Sequence, residues 1–274
     1  MDGDAEVNSL LNLNWLYIDQ EGVLWEIGKK GKVFRYDQIH DCFSLVYKLP
    51  MESFSEQPDP VTYAWLDQNK HIWLCNKDTI FLYNTDTKQV THIKNDISEE
   101  ITDIEQIDES HFFIGTEMGT HYAQLENNAL KLINCDKLES VKAQVSDLHF
   151  DKKIRRLFIG TFLRGIMVYD MNTKSVIRPD YNLKDISITR FKPLNDKELL
   201  IATDGGGVHK INMDTYQIVP EIVADYNSNC GMNGNSINDI FVDDEERIWL
   251  AGTRRNSSHN TWHEEHSPPH ICLG

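Results

Sequence analysis

One pattern governs what this chain can fold into: a short apolar run around a bulky anchor recurs six times along its 274 residues. The runs are Val23-Leu24-Trp25, His71-Ile72-Trp73-Leu74, His111-Phe112-Phe113-Ile114, Arg156-Leu157-Phe158-Ile159, Glu198-Leu199-Leu200-Ile201 and Arg247-Ile248-Trp249-Leu250. Their anchors (Trp25, Trp73, Phe113, Phe158, Leu200 and Trp249) stand 48, 40, 45, 42 and 49 residues apart. A period of about 40 to 50 residues means stacked copies of one supersecondary unit, because such a unit cannot bury its apolar faces alone.

Each anchor has the same surroundings. A strand-like segment precedes it and ends in an acidic turn, as in Leu16-Tyr17-Ile18-Asp19, Ala64-Trp65-Leu66-Asp67, Leu148-His149-Phe150-Asp151 and Ile240-Phe241-Val242-Asp243. Asp19, Asp67 and Asp243 each lie six residues before a Trp, a spacing that fits a tight hairpin. A small or turn-forming residue follows at Gly31, Thr79, Gly119, Gly165 and Gly206, and then a third strand marked by Tyr36, Tyr83, Tyr122, Tyr169 or Ile211. A less regular fourth strand closes the unit, as at 42–46, 89–93, 129–133 and 175–177. A βαβ barrel would need a helical pattern of about ten residues in every unit, and none is present. The fold class expected is all-β: a β-propeller of four-stranded antiparallel blades, about five full blades plus a partial sixth.

The segments 19–25, Phe113-Ile114-Gly115-Thr116-Glu117-Met118-Gly119 and Phe158-Ile159-Gly160-Thr161 resemble the two-component regulator propeller repeat. That repeat runs from an acidic turn through Gly, an apolar residue and Trp to Ile-Gly-Thr and a Gly turn; segment 233–240 is similar to its lead-in to the first strand. The resemblance covers residues 8 to 253. It implies the periplasmic sensory region of hybrid two-component receptors of gut Bacteroides, recognising glycans or oligosaccharides for signal transduction and transcriptional regulation. The partners it implies are an oligosaccharide ligand and the adjoining propeller or receptor domains of a longer protein. The chain itself is expected to be a non-catalytic fragment of the sensor. It carries no histidine-kinase phosphoacceptor motif, Gly-rich ATP box or receiver segment.

Three departures matter. Leu200 replaces an aromatic anchor, Asn76-Lys77-Asp78 stands where Gly-Thr is expected, and the sixth unit stops matching after Ala251-Gly252-Thr253. The domain reading is a propeller over 1–253, incomplete or irregularly closed, and a disordered non-repeat tail over 254–274. An open end would expose apolar blade surface. Truncation of the gene product is the preferred explanation; an irregular ring completed by the N-terminal residues is the alternative.

Charge and composition remove several function classes. Lys plus Arg number 27 and Asp plus Glu 43, for a net charge of −16, which repels a phosphate backbone or an anionic membrane. No nucleic-acid partner is expected. The acidic start at residues 1–6 lacks a signal peptide's basic and apolar regions, and no apolar stretch approaches the roughly 20 residues needed to cross a bilayer. Direct membrane insertion is therefore not expected, and the periplasmic location rests on the resemblance. Cys42, Cys75, Cys135, Cys230 and Cys272 are too scattered for a zinc ribbon or a disulfide framework.

Few residues suggest chemistry. His259, His263, His266, His270 and Cys272 are metal-ligand types, but Pro268 and Pro269 break any helix there, and His263 and His266 lack zincin spacing. No metal or cofactor is expected. Asp204-Gly205-Gly206-Gly207 leads into a strand, whereas a phosphate loop opens a helix. The acidic turns belong to separate units, so paired-carboxylate catalysis is not expected and no catalytic residue is assigned. Aromatics in register read as core. Phe54 and Tyr226 lie off the repeat as looser sugar-stacking candidates, and ligand-binding residues stay unassigned. The alternatives are a propeller enzyme (lyase or glycan hydrolase), which needs a convergent His, Glu or Tyr cluster, and a protein-interaction scaffold.

Overall fold

A computed structural model describes residues 13–50, 61–76, 79–139, 141–180, 183, 185–224, 232, 234–253, 263–264 and 271–273. Its strands keep the period of the sequence. The first sheet is β1 (Leu13–Ile18), β2 (Leu24–Gly28), β3 (Lys32–Asp37) and β4 (Cys42–Lys48), antiparallel and in that order. The same meander gives β5 (Tyr63–Leu66), β6 (His71–Cys75), β7 (Ile80–Asn84) and β8 (Val90–Asn95). It recurs in β9 (Ile101–Gln106), β10 (His111–Thr116), β11 (Thr120–Glu126) and β12 (Ala129–Ile133), and a short parallel contact joins β12 to β8.

After the four-residue helix α1 (Asp136–Glu139) come β13 (Val145–Asp151), β14 (Arg156–Thr161), β15 (Ile166–Asp170) and β16 (Ser175–Ile177). The fifth sheet is β17 (Ser187–Pro193), β18 (Glu198–Asp204), β19 (Gly207–Asn212) and β20 (Ile218–Ile222). Last is the hairpin β21 (Ser236–Val242) and β22 (Ile248–Thr253). The short β24 (Ile271–Leu273) pairs with β22 in parallel, and β23 (His263–Glu264) pairs with β24. The fold is all-β, and every anchor falls on the second strand of its sheet.

Two units make up the chain, residues 1–114 with 122–134 and residues 115–121 with 135–274. Side chains alternate between strand faces, so the anchor and its i±2 neighbours share one face. In the first unit, Trp25, Ile27 and Val33 pack on Ile72, Leu74 and Tyr83 of the second sheet. Trp73 and Leu82, on that sheet's other face, pack on Ile104, Phe112 and Leu130 of the third. The second unit repeats the scheme: Phe158 and Val168 meet Ile188, Leu199 and Ile211, while Leu200 and Val208 meet Ile240, Ile248 and Leu250. Each fully buried anchor stabilises the stack by roughly 2–3 kcal/mol before entropy is counted.

The Gly of Ile-Gly-Thr has a packing reason. A Cβ on Gly160 would lie 2.7 Å from Cγ2 of Ile188 and 3.1 Å from Cε2 of Phe191, so β17 approaches β14 only over a bare backbone.

Candidate ligand-binding surface

The acidic turns are structural staples. Asp19 Oδ1 accepts the amides of Glu21 (2.9 Å) and Val23 (2.8 Å), and its Oδ2 accepts the Trp25 indole N–H at 2.8 Å. Asp67 does the same with Asn69 (2.8 Å), His71 (2.7 Å) and the Trp73 indole (2.9 Å). Asp243 serves Glu245 (3.0 Å), Arg247 (2.9 Å) and the Trp249 indole (2.9 Å). At Asp19 and Asp243 these donors stabilise the charged form. Burial pushes the Asp19 carboxyl up, but the Trp25 indole and the Val23 and Glu21 amides outweigh it and hold the group below its ordinary value. The Trp249 indole holds the Asp243 carboxyl well below the usual carboxylate range, burial opposes it, and Arg247 adds to the lowering.

Sheets without a Trp anchor keep the turn cap alone. Asp108 accepts the amides of Ser110 and His111, Asp151 those of Lys153 and Ile154, and Asn195 those of Lys197 and Glu198. At the opposite end of the second strand, Thr116, Thr161 and Thr203 donate from Oγ1 to the carbonyls of Gly119, Gly165 and Gly207 at 2.7–3.0 Å. The Thr that ends Ile-Gly-Thr, or Ile201-Ala202-Thr203 in the fifth sheet, thus locks the turn into the third strand. Gly205 and Gly206 form such a turn, and β19 begins at Gly207.

A different set of groups runs between first strands. In the first unit, the Tyr17 hydroxyl on β1 donates to the Ala64 carbonyl on β5 at 2.7 Å. The Tyr63 hydroxyl on β5 donates to Asp103 Oδ1 on β9 at 2.8 Å and accepts the Ile104 amide at 3.2 Å. Burial and the nearby Asp103 charge raise the Tyr63 hydroxyl well above its ordinary pKa, so it stays a neutral donor.

In the second unit, Arg190 on β17 bridges two carboxylates. Its Nη1 is 2.9 Å from Asp147 Oδ1 on β13, and its Nε is 3.1 Å from Asp239 Oδ1 on β21. The Phe191 amide donates to Asp147 Oδ2 at 2.6 Å, and Thr189 Oγ1 donates to the Ile237 carbonyl at 2.6 Å. Asp147 is buried, whereas nearly half of Arg190 and more than half of Asp239 stay in contact with solvent. Asp147, Arg190 and Asp239 each follow a register shift in their strand, the kind of bulge that re-aims a side chain.

This bridge is the candidate site. Each carboxylate is paired with a guanidinium, which favours fixed donors and acceptors over the proton sharing of an acid–base pair. An exposed Arg190 beside an exposed Asp239 can exchange hydrogen bonds with a hydroxyl-rich ligand.

The sequence candidates are dispersed. Asp19 and Asp67 are staples in the first unit and Asp243 in the second. Phe54, Tyr226, His259, His266 and His270 lie outside the described residues, and only the backbone is described for His263 and Cys272. Among the described residues no three His, Cys, Asp or Glu side chains converge as a metal set. A shallow cavity of about 270 Å³ lies between two turns of the first sheet, lined by Glu21, Leu24, Arg35, Tyr36, Asp37 and Gln38 among others. It is smaller than a usual ligand pocket of roughly 300 Å³ or more, and Lys70 and His40 already engage Glu21 and Asp37. Sequence reading missed the Asp147–Arg190–Asp239 bridge. Its one signal is that Asp147 and Asp239 both stand four residues before a turn Asp.

No protein-family model matches the chain. A curated protein named Histidine kinase P4, from Formosa agariphila, is 24% identical over 191 residues, which is 66% of this chain and 13% of the kinase. Two solved structures from B. thetaiotaomicron share the fold. One is an extracellular domain described as belonging to the hybrid two-component system BT3049, with TM-score 0.66 and 23% identity, covering 88% of this chain and 32% of that one. The other is the corresponding domain of BT4673, with TM-score 0.60 and 20% identity, covering 92% and 39%. The chain therefore spans about a third of the solved domains and a smaller part of the kinase. The resemblance read from the repeat is borne out by these neighbours.

Proposed function

We propose that this chain is a non-catalytic propeller module of a hybrid two-component receptor, with about five full blades and a partial sixth, and that it senses oligosaccharides in the periplasm. The observation that carries the reading is the fold shared with extracellular domains of such systems. Three features support it. The in-register carboxylates are consumed by turn amides and indoles. The exposed polar pair Arg190–Asp239 suits sugar hydroxyls. No helix among the described residues is long and apolar enough to cross a membrane.

In this reading the module signals through differential affinity: ligand favours one receptor arrangement by binding it more tightly. Adjoining receptor domains are its partners. The test is titration calorimetry of the full chain against a panel of plant and host oligosaccharides. The expected result is saturable heat with one member, weakened at least tenfold by Asp239→Ala with the fold retained. Silence across the panel, for this chain and for the sensor region of its parent receptor, overturns the glycan reading.

A further inference from the structure

The sheet packing recurs with a fixed polarity. The anchor face of one sheet receives the opposite face of the next, as Trp25, Ile27 and Val33 receive Ile72, Leu74 and Tyr83. The residues of the first sheet that correspond to Ala64, Leu66, Ile72 and Leu74 are Leu16, Ile18, Leu24 and Glu26. They form a cross-strand row with Phe34 and Leu45, through the pairs Leu16–Glu26, Ile18–Leu24, Glu26–Phe34 and Phe34–Leu45. Yet Ile18 is 69% exposed and Leu16 and Leu45 are each 52% exposed. Glu26 lies at the centre of this face, 3% exposed, with no hydrogen bond or ion pair among the described residues. Burial raises its pKa.

At the other end of the chain, the anchor face of the β21–β22 hairpin is open. Phe241 is 56% exposed and pairs with the half-buried Trp249. Lys192 Nζ, from the fifth sheet, lies 5.6 Å from the Phe241 ring centroid. One face is of the receiving kind and the other of the kind it receives.

We infer that a second copy of this chain seats its Phe241–Trp249 face on the Leu16–Ile18–Leu45 face, head to tail, continuing between molecules the packing seen between sheets. Apolar faces of this kind mark interaction sites. A heterologous contact that does not close grows into open oligomers.

Sedimentation velocity on the full chain over a concentration series tests this. Wild type is expected to pass from monomer to dimer and higher species as concentration rises. Ile18→Lys spoils one face and Phe241→Lys the other, and both positions are exposed, so each variant keeps its far-ultraviolet spectrum and unfolding midpoint. Each variant alone is expected to stay monomeric. Their equimolar mixture is expected to double in mass and stop there, since each supplies the face the other lacks. Wild type monomeric at every concentration overturns the inference. So does a mixture that stays monomeric while wild type associates, or either single variant associating as wild type does.

Discussion

Replacing Asp67 by Asn separates the two tasks of its carboxylate. The amide Oδ1 still accepts from Asn69 and His71, as Asn195 does for Lys197 (2.9 Å) and Glu198 (3.0 Å) in the fifth sheet, where the anchor is Leu200. The new Nδ2, however, faces the Trp73 indole nitrogen, donor against donor, where Oδ2 now accepts at 2.9 Å. Trp73 is fully buried between Trp65 and Phe112, so no water replaces the acceptor. A buried donor left unsatisfied costs about 1–3 kcal/mol, and loss of a charged acceptor places this case near 2–3 kcal/mol. Asp67→Ala loses the turn cap as well, about 1 kcal/mol more. In a Trp73→Phe background the indole donor is gone, and Asp67→Asn is expected to cost under about 0.5 kcal/mol. The contact of His71 Nδ1 with Asp67 Oδ2 changes equally in both backgrounds and cancels. Urea unfolding of the four proteins, at a common m-value, measures the cycle. If Asp67→Asn costs as much with Trp73→Phe as without it, the staple is not what the six-residue spacing encodes.

Three further outcomes follow from the same geometry. Gly160→Ala forces a Cβ against Ile188 and Phe191 and is expected to cost about 1–3 kcal/mol in thermal unfolding; an unchanged midpoint would mean β14 and β17 do not approach so closely. Arg190→Ala removes the cation beside the buried Asp147, leaving the Phe191 amide on its Oδ2, and is expected to cost about 2 kcal/mol, whereas Asp239→Ala, at the solvent end of the bridge, stays within about 0.5 kcal/mol. Equal costs would show that the bridge is not anchored on Asp147. His149 stacks on Phe158, and burial, reinforced by Lys192 and opposed by Asp151, lowers its pKa from 6.5 to about 4. The folded state thus binds this proton more weakly than the unfolded chain. The associated stability, about 3 kcal/mol, is fully present above pH 6.5 and is lost as pH falls toward 4. His149→Gln is expected to remove that part of the acid limb in urea titrations between pH 4 and 7, and an unaltered limb refutes the assignment.

The strand order was legible because its signals are local. Asp–Trp at six residues marks a capped hairpin with an indole lying back over it, and the turn length decides which anchor is used. Asp108 stands five residues before Phe113, Asp151 seven before Phe158 and Asn195 five before Leu200. At those spacings the anchor is Phe or Leu, and the turn cap works without an indole. The bridge across first strands was not legible for the opposite reason. Arg190 stands five residues before its turn residue, whereas Asp147 and Asp239 stand four before theirs. The hairpins still align them, opposite Gly160, Ala202 and Ala251, each two residues past its anchor, because the turns differ in length and the repeat period does not give turn length.

The same contrast bears on binding against catalysis. A general acid near neutral pH needs a carboxyl whose pKa is raised beside the reacting group. The turn carboxylates Asp19 and Asp243 are shifted the other way, by donors whose task is to close hairpins. Glu26 is shifted upward, but it sits among Leu16, Leu24 and Phe34 on a sheet face, where its neighbours are packing surface. Arg190 and Asp239 are both exposed and held in place, by strands whose bulges disturb the ladder at a cost to pairing. Packing alone does not require an ion pair reaching across three first strands. The Asp239→Ala titration tests whether this pair serves a hydroxylated ligand.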